Sequence, residues 1–386
     1  MSGVEGSRDA EIPGILRDND YDRELIAHVH PSDWVNPTPR GRYNLVVIGA
    51  GTAGLVSAGA AAALGARVAL IERRLMGGDC LNHGCVPSKA LLRAARAAQD
   101  IESAREFGIR LPGAIDRDFS EAMNRLRRLR ATIAPHDSAR RFRDLGVDVY
   151  LGDARFVAGD AVEVDGQRLR FSRAVIATGA RPAAPPVPGL ADAGFLTNET
   201  LFELTELPDR LVIIGAGPIG CEMAQVFARF GSRVTIVSLD PRLLPREDPA
   251  TAALLEQQFV REGITMRLGA TLTKVPRTSQ AKQVTFSCET GEDTVEADEI
   301  VVAVGRAPNV DDLDLAVAGV AFEQQGVQVD DRLRTTNRRI YAAGDVCSRY
   351  KFTHAADAMA RIVIQNAFFF GRKKASALVI PWCTYT

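Results

Sequence analysis

Two stretches of the chain repeat one hydrophobic rhythm. LVVIGAGTAGLVSAGAAAALGARVALIE (Leu45–Glu72) and LVIIGAGPIGCEMAQVFARFGSRVTIVS (Leu211–Ser238) stand in one frame, 166 residues apart. Each opens with four apolar β-formers, passes through G-x-G-x-x-G, continues as a helical run, and meets a glycine before a second apolar β run. The pattern predicts strand, glycine turn, helix and strand, the opening unit of a parallel sheet with helices packed on it. Leu45 to Ala66 is uncharged over 22 residues, long enough on length alone to span a bilayer. Glycines at 49, 51, 54, 59 and 65 break that reading and fit the turn instead.

In such a turn Gly49 and Gly51 let the backbone bend toward a pyrophosphate, and Gly54 lets the helix close on the sheet. The helix N-terminus then offers its free N–H groups to the phosphates. A glycine-rich helix packed on a sheet without a ligand would show the same glycines. Glu72, 23 residues after Gly49, favours the dinucleotide, since a carboxylate there accepts from the ribose hydroxyls. In the second copy Gly215, Gly217 and Gly220 fall in register, but the matching end position is Ser238. Without a carboxylate nothing repels a 2′-phosphate, and Arg242 and Arg246 follow closely, which tilts this site slightly toward NADPH over NADH. Two such folds imply two dinucleotides: a resident flavin, FAD, and a visiting nicotinamide that carries hydride.

Between the copies lies GGDCLNHGCVPSK (Gly77–Lys89), which holds two of the six cysteines, Cys80 and Cys85. A structural zinc site needs four ligands; here C-x₄-C has no second pair and only His83 nearby. Cys85 leads into VPSKALLRAARAAQ, a strong helix pattern, so its sulfur sits by a helix N-terminus that favours a thiolate. The glycines and Asn82 let the loop bend until the two sulfurs meet, the arrangement of a redox pair beside an electron source.

The bulk numbers agree with an α/β protein of two or three domains: 386 residues, 46% hydrophobic, 25% charged, net charge −1. That charge gives no reason to bind nucleic acid or an anionic membrane. Seven arginines between Arg125 and Arg143 recur at helical spacing and read as a solvated helix face. No leader pattern is visible, so a cytoplasmic setting is expected, where disulfides are rare unless catalytic.

GGDCLNHGCVPSKALL resembles the redox signature of the class I flavoprotein disulfide reductases, the pyridine nucleotide-disulfide oxidoreductases. Further motifs follow in that family's order: VIATGARP (Val175–Pro182), IGCE (Ile219–Glu222), VGRAPN (Val304–Asn309) and YAAGDV (Tyr341–Val346). HVHPSDWVNPTPRGRYNLVVIGAG looks most like the mercuric-reductase-like branch, with a dihydrolipoamide-dehydrogenase-like enzyme as the alternative. The resemblance implies that NAD(P)H reduces FAD, which reduces a Cys80–Cys85 disulfide. Cys85 would then be the flavin-proximal thiolate, Cys80 the exchange thiol, and Lys89 a cation beside the flavin, paired with Glu222. It assigns Thr178, Gly179, Gly344 and Asp345 to FAD, and Gly305 and Arg306 to the exit of the nicotinamide domain. The acceptor would be a small disulfide or a soft metal ion, and the enzyme a homodimer serving redox homeostasis.

The expected layout is an N-terminal arm lying on the surface (1–42), a discontinuous FAD domain (43–194 and 330–372), an NAD(P) domain (195–329), and a stub of dimerisation domain (373–386). Two helices, Lys89–Phe107 and Phe119–Leu145, are expected in the first domain, and VIPWCTYT reads as the opening strand of the last. The family's acid–base histidine has no counterpart in the sequence, and no metal-ligand set is expected. Alone, the chain is expected to bind both dinucleotides with impaired turnover and weak dimerisation; as part of a longer product it would be a competent reductase. A redox sensor that signals through its flavin is the competing class.

Overall fold

The computed structural model describes residues 13–386 apart from 111, 112, 114, 278–280, 290 and 370. Helix α1 (Asp20–Val29) starts where the Asn19 side chain accepts from the Tyr21 and Asp22 N–H groups. The first repeat follows as β1 (Arg42–Ile48), α2 (Thr52–Ala63) and β2 (Val68–Glu72). The short α3 (Gly78–Asn82) leads into α4 (Cys85–Glu102), then α5 (Phe119–Ile133) and α6 (Ala139–Asp144). Strands β3 (Val147–Leu151), β4 (Ala154–Ala158), β5 (Ala161–Val164) and β6 (Gln167–Ile176) come next, and then the crossing strand β7 (Ala180–Pro182) and α7 (Leu190–Ala193).

The second repeat is β8 (Arg210–Ile214), α8 (Pro218–Phe230) and β9 (Arg233–Val237), continued by α9 (Pro249–Arg261) and β10 (Thr265–Arg267). An antiparallel trio, β11 (Thr271–Lys274), β12 (Lys282–Cys288) and β13 (Gly291–Ala297), precedes β14 (Glu299–Val302) and the return strand β15 (Arg306–Pro308). After the small hairpin β16 (Phe322–Glu323) and β17 (Gly326–Val327) come β18 (Ile340–Ala342) and α10 (Thr353–Phe368).

One sheet runs β3-β2-β1-β6-β5-β4, with β18 joined to the C-terminal half of β6; the other runs β10-β9-β8-β14. The second is parallel throughout, as is the β3-β2-β1-β6 part of the first. Their apolar runs are buried without alternation because both faces are covered, one by helices and the other largely by strands and loops: β4, β5 and residues 313–327 on the first sheet, the antiparallel trio on the second. The chain leaves the first sheet through β7 and returns through β15, which pairs with it antiparallel. β18 then re-enters the first sheet in register with Ala174–Ile176. The architecture is the expected α/β fold.

Helix α4, which begins at the second cysteine, packs against α8 of the second repeat: Leu91, Met123, Met223 and Phe227 share one buried cluster. Packing alone therefore brings the cysteine helix to the second glycine turn.

Several expectations are corrected. The helix expected over Phe119–Leu145 is broken, because Pro135 lies in a 3₁₀ turn (Ala134–Asp137) before Ser138 caps α6. The helix expected from Lys89 starts at Cys85, and its last turn (Ser103–Phe107) is 3₁₀. The arginine run is not all solvated: Arg127 and Arg130 are among the largest fully buried side chains. Nor does the arm only lie on the surface, since Asp22, Leu25 and Val29 of α1 are fully buried. Further on, Asn36 accepts from the Leu151 N–H and donates to its carbonyl, which blunts the edge strand β3. VIPWCTYT joins no ladder among the described residues. It is held by side chains instead: Trp382 Nε1 donates to Glu247 Oε1 at 2.8 Å, and Phe352 stacks on both His354 and Trp382. Among the described residues no helix is long and apolar enough to cross a membrane.

Candidate functional site

The two glycine turns have the same backbone. Gly49 and Gly215 have φ of +98° and +112°, a region that favours glycine. A Cβ on Gly54 would run into the Gly49 carbonyl oxygen, and one on Gly220 into that of Gly215. Helices α2 and α8 are capped by Gly51 and Gly217, with no side chain occupying the anion position. The residues therefore fit two dinucleotides, and the cavity beside the first turn supports this. It measures about 360 Å³ and is lined by Gly49, Glu72, Arg73, Gly152, Thr178 and Asn309.

Glu72 ends β2 at the wall of that cavity. Its oxygens accept from the Ala50 and Arg74 N–H groups at 2.7 and 2.8 Å. Burial raises its pKa against the pull of those two donors. Thr178 and Gly179 (φ +69°) form the turn after β6. The Thr178 hydroxyl donates to Asn309 O, and the Asn309 side chain donates back to Thr178 O, so this turn is stitched to the return strand. Gly344 (φ +83°) and Asp345 follow β18; burial raises the Asp345 carboxyl, opposed by Arg306 and Lys351. Gly305 adopts φ +140°. Arg306 binds Asp79 of the cysteine loop and Ala180 O, and its Nε lies 3.6 Å from Asp345. It acts here as a bridge between the cysteine loop and the turn after β18.

In the second copy Ser238 directly follows β9, and its hydroxyl lies 3.4 Å from Asp240 Oδ2. Arg242 donates to Pro245 O at 2.7 Å, folded onto its own loop.

The cysteine loop packs on the first turn so closely that a Cβ on Gly78 would lie 2.6 Å from Gly51 Cα. Both cysteines are thiols, Cys80 half-buried and Cys85 accessible at the start of α4. Cys85 is lowered to about 6, chiefly by the hydrogen bond from Cys80; burial opposes this, and Thr353, the Lys89 charge and its own N–H assist. Cys80 is pushed well above the ordinary thiol range, first by holding that proton for Cys85 and then by burial. The two shifts run in opposite directions, so of the pair Cys85 is the sulfur that favours the thiolate and Cys80 the one that favours the thiol. Thr353, at the first position of α10, has its hydroxyl 3.3 Å from Cys85 Sγ.

One turn after Cys85, Lys89 Nζ lies 2.7 Å from Glu222 Oε2. Glu222, in α8, is almost wholly buried and also accepts from the Tyr385 N–H at 3.0 Å. The Lys89 ammonium stands 4.7 Å from the Tyr385 ring centroid. Sequence reasoning missed Thr353 and Tyr385; neither carries a local signal, since both reach the site from the far end of the chain. Cys221 is fully buried in the core. Among the described residues no group of three or more His, Cys, Asp or Glu is placed to hold a metal ion.

The fold thus brings together two glycine turns, a cysteine pair at the start of α4, and an ion pair that joins α4 to the helix of the second turn. The family model for pyridine nucleotide-disulphide oxidoreductases matches residues 43–360, and the chain belongs to that family. The family works with FAD and NAD(P)H. The chain is 35% identical to a mercuric reductase of Lysinibacillus sphaericus over 89% of its own length and 63% of that enzyme. It is 34% identical to a dihydrolipoyl dehydrogenase of Bacillus subtilis, over 89% of the chain and 75% of that enzyme. Among solved structures, the HOCl-induced flavoprotein disulfide reductase RclA from Escherichia coli matches with TM-score 0.77 and 31% identity, over 86% of this chain and 73% of that one. The chain thus spans less than two thirds of the Lysinibacillus enzyme.

Proposed function

We propose that the protein takes hydride equivalents from NADPH or NADH, by way of FAD on the first turn, into a Cys80–Cys85 disulfide and on to a disulfide or soft metal-ion acceptor. FAD, when bound, supplies the two-electron relay between nicotinamide and sulfur. The observation that carries the reading is the Cys80–Cys85 pair at the start of α4, with Lys89 one turn on and paired to Glu222 of the second turn's helix.

The chain's own residues divide the work. The α2 N-terminus and Glu72 hold a pyrophosphate and a ribose, and the α8 N-terminus holds a second pyrophosphate. Residues 43–194 and 330–372 form the FAD unit on this reading, and 195–329 the nicotinamide unit. Lys89 keeps a positive charge beside the reacting centre, fixed by Glu222. Thr353 and the Cys80 thiol stabilise negative charge on Cys85. Once Cys80 gives up its proton, its sulfur attacks one sulfur of an acceptor disulfide and releases the other as a thiolate. Cys85 then attacks the Cys80 sulfur, frees the second acceptor thiolate and restores the internal disulfide. A soft metal ion would be captured by the same two sulfurs.

Mercuric reductases and dihydrolipoyl dehydrogenases match at similar identity, which supports this shared chemistry with either acceptor. With FAD supplied, one equivalent of NADPH is expected to produce a long-wavelength thiolate–flavin absorption. Cys85→Ser should lose that band and Cys80→Ser should keep it. A band that survives in Cys85→Ser overturns the assignment, and turnover assays with lipoamide, glutathione disulfide and Hg²⁺ separate the acceptors.

A further inference from the structure

A buried polar cluster that takes no part in this chemistry joins the N-terminal arm to the cysteine loop. At its centre is Asp22 of α1, fully buried. One of its oxygens accepts from Arg130 Nη2 at 2.7 Å; the other accepts from the Leu16 N–H at 2.9 Å and lies 3.8 Å from Arg127 Nε. Arg130 is also fully buried, and its Nη1 donates to Gly14 O at 3.0 Å and Asn82 O at 2.9 Å. Arg127 donates to the Phe202 and Leu204 carbonyls at 3.2 and 3.0 Å. Two guanidinium groups against one carboxylate are costly to desolvate. Each guanidinium is held at its Nη atoms by fixed acceptors, while the Nε of Arg127 and of Arg130 has no hydrogen-bond partner.

Asn82 and His83 lie between the two cysteines. The Asn82 side chain donates to Met76 O at 3.0 Å and Gly78 O at 2.8 Å, closing the loop on itself. Its carbonyl is the one that Arg130 holds. His83 Nε2 lies 2.9 Å from Pro13 O, and the His83 carbonyl accepts from Asn198 Nδ2 at 3.2 Å. Gly14, at φ +83°, passes so close that a Cβ there would lie 2.6 Å from the His83 ring. Outside the loop, the inter-cysteine residues are thus held by the arm, by Arg130 and by Asn198.

We propose that residues 13–22, coupled through Arg130, brace the inter-cysteine loop and so set the dithiol–disulfide equilibrium of Cys80 and Cys85. The inference rests on the redox reading of that pair. A disulfide tolerates only a narrow range of Cβ–Cβ distance, roughly 3.5–4.5 Å, whereas a dithiol accepts wider separations. A braced loop keeps one sulfur within reach of the other and favours the bond; a loosened loop favours the dithiol. In the reaction that measures this, the two thiols lose two electrons and two protons to glutathione disulfide, which leaves as two glutathione thiols.

The full chain is equilibrated in glutathione buffers of graded ratio, quenched by alkylation, and the oxidised fraction counted by mass. Asp22→Asn, which keeps the side-chain size and removes the charge, and Gly14→Ala, which crowds His83, are expected to shift the equilibrium toward dithiol. The expected shift is about tenfold, or about 30 mV for a two-electron couple. Asn36→Ala loosens the same arm at the β3 edge and should lower the melting temperature with no shift in the equilibrium. If Asp22→Asn fails to fold, Gly14→Ala alone decides. A wild-type pair that titrates while the folded variants coincide with it overturns the brace alone. A wild-type pair that stays dithiol in every buffer overturns the redox reading, and the brace with it.

Discussion

The first and second glycine turns share strand, turn and helix, down to positive φ at Gly49 and Gly215 and the absent side chains at Gly54 and Gly220. They part at the end of the following strand. Glu72 presents a half-buried carboxylate at a cavity wall, while Ser238 presents a hydroxyl beside Asp240. They part again in what their helices meet: α2 packs on α10 within one buried cluster, and α8 packs on the cysteine helix α4. The two turns are thus the same piece of backbone, and what differs is the few side chains added around it.

The largest test breaks one turn at a time. Gly54→Leu would drive a side chain into the Gly49 carbonyl, and FAD binding should weaken about 100-fold or more, read by flavin absorbance retained through gel filtration. Gly220→Leu should leave the flavin bound and cost the nicotinamide a similar factor, read by titration. Equal loss of both ligands in either variant would show that the turns do not act separately.

The second test strikes where the two halves meet. Lys89→Met leaves Glu222 without its cation, and flavin reduction by NADPH should slow roughly 10²-fold in stopped flow, with FAD still bound. A smaller effect is expected from Ser238→Glu, which copies the first turn's carboxylate into the second. A charged acceptor for the ribose hydroxyls, set against repulsion of a 2′-phosphate, should move the kcat/KM ratio about tenfold toward NADH.

The smallest concerns the thiolate that both halves serve. With Cys85 lowered to about 6, its alkylation should be fast and flat above that pH. Below it the rate should fall about tenfold per unit, as the thiolate takes up a proton. Thr353→Val removes one donor and should raise the midpoint by roughly half a unit.

Much of this site is legible in the amino-acid order alone. The glycine turns announce themselves because each glycine answers a local steric demand, and Cys85 because a helix pattern begins beside it. The Lys89–Glu222 pair followed only from family resemblance; no spacing rule links residues 133 positions apart, and the packing of α4 on α8 is what joins them. Arg127 and Arg130 misled for a related reason. Helical spacing says which residues share a face, and only the neighbour decides whether that face is wet. Here the neighbour is α1, whose Asp22 turns an apparently solvated stripe into a buried cluster.

By itself the sequence determined the two strand–turn–helix–strand units, the cysteine pair and the acid that distinguishes the first turn, because these rest on backbone geometry within a few dozen residues. Tertiary structure alone decided which arginines are buried, that Thr353 faces Cys85, and that the arm grips the cysteine loop. Those contacts join residues brought together by long-range packing, and the cost of desolvating a charge or the gain from a hydrogen bond exists only once the partner has arrived.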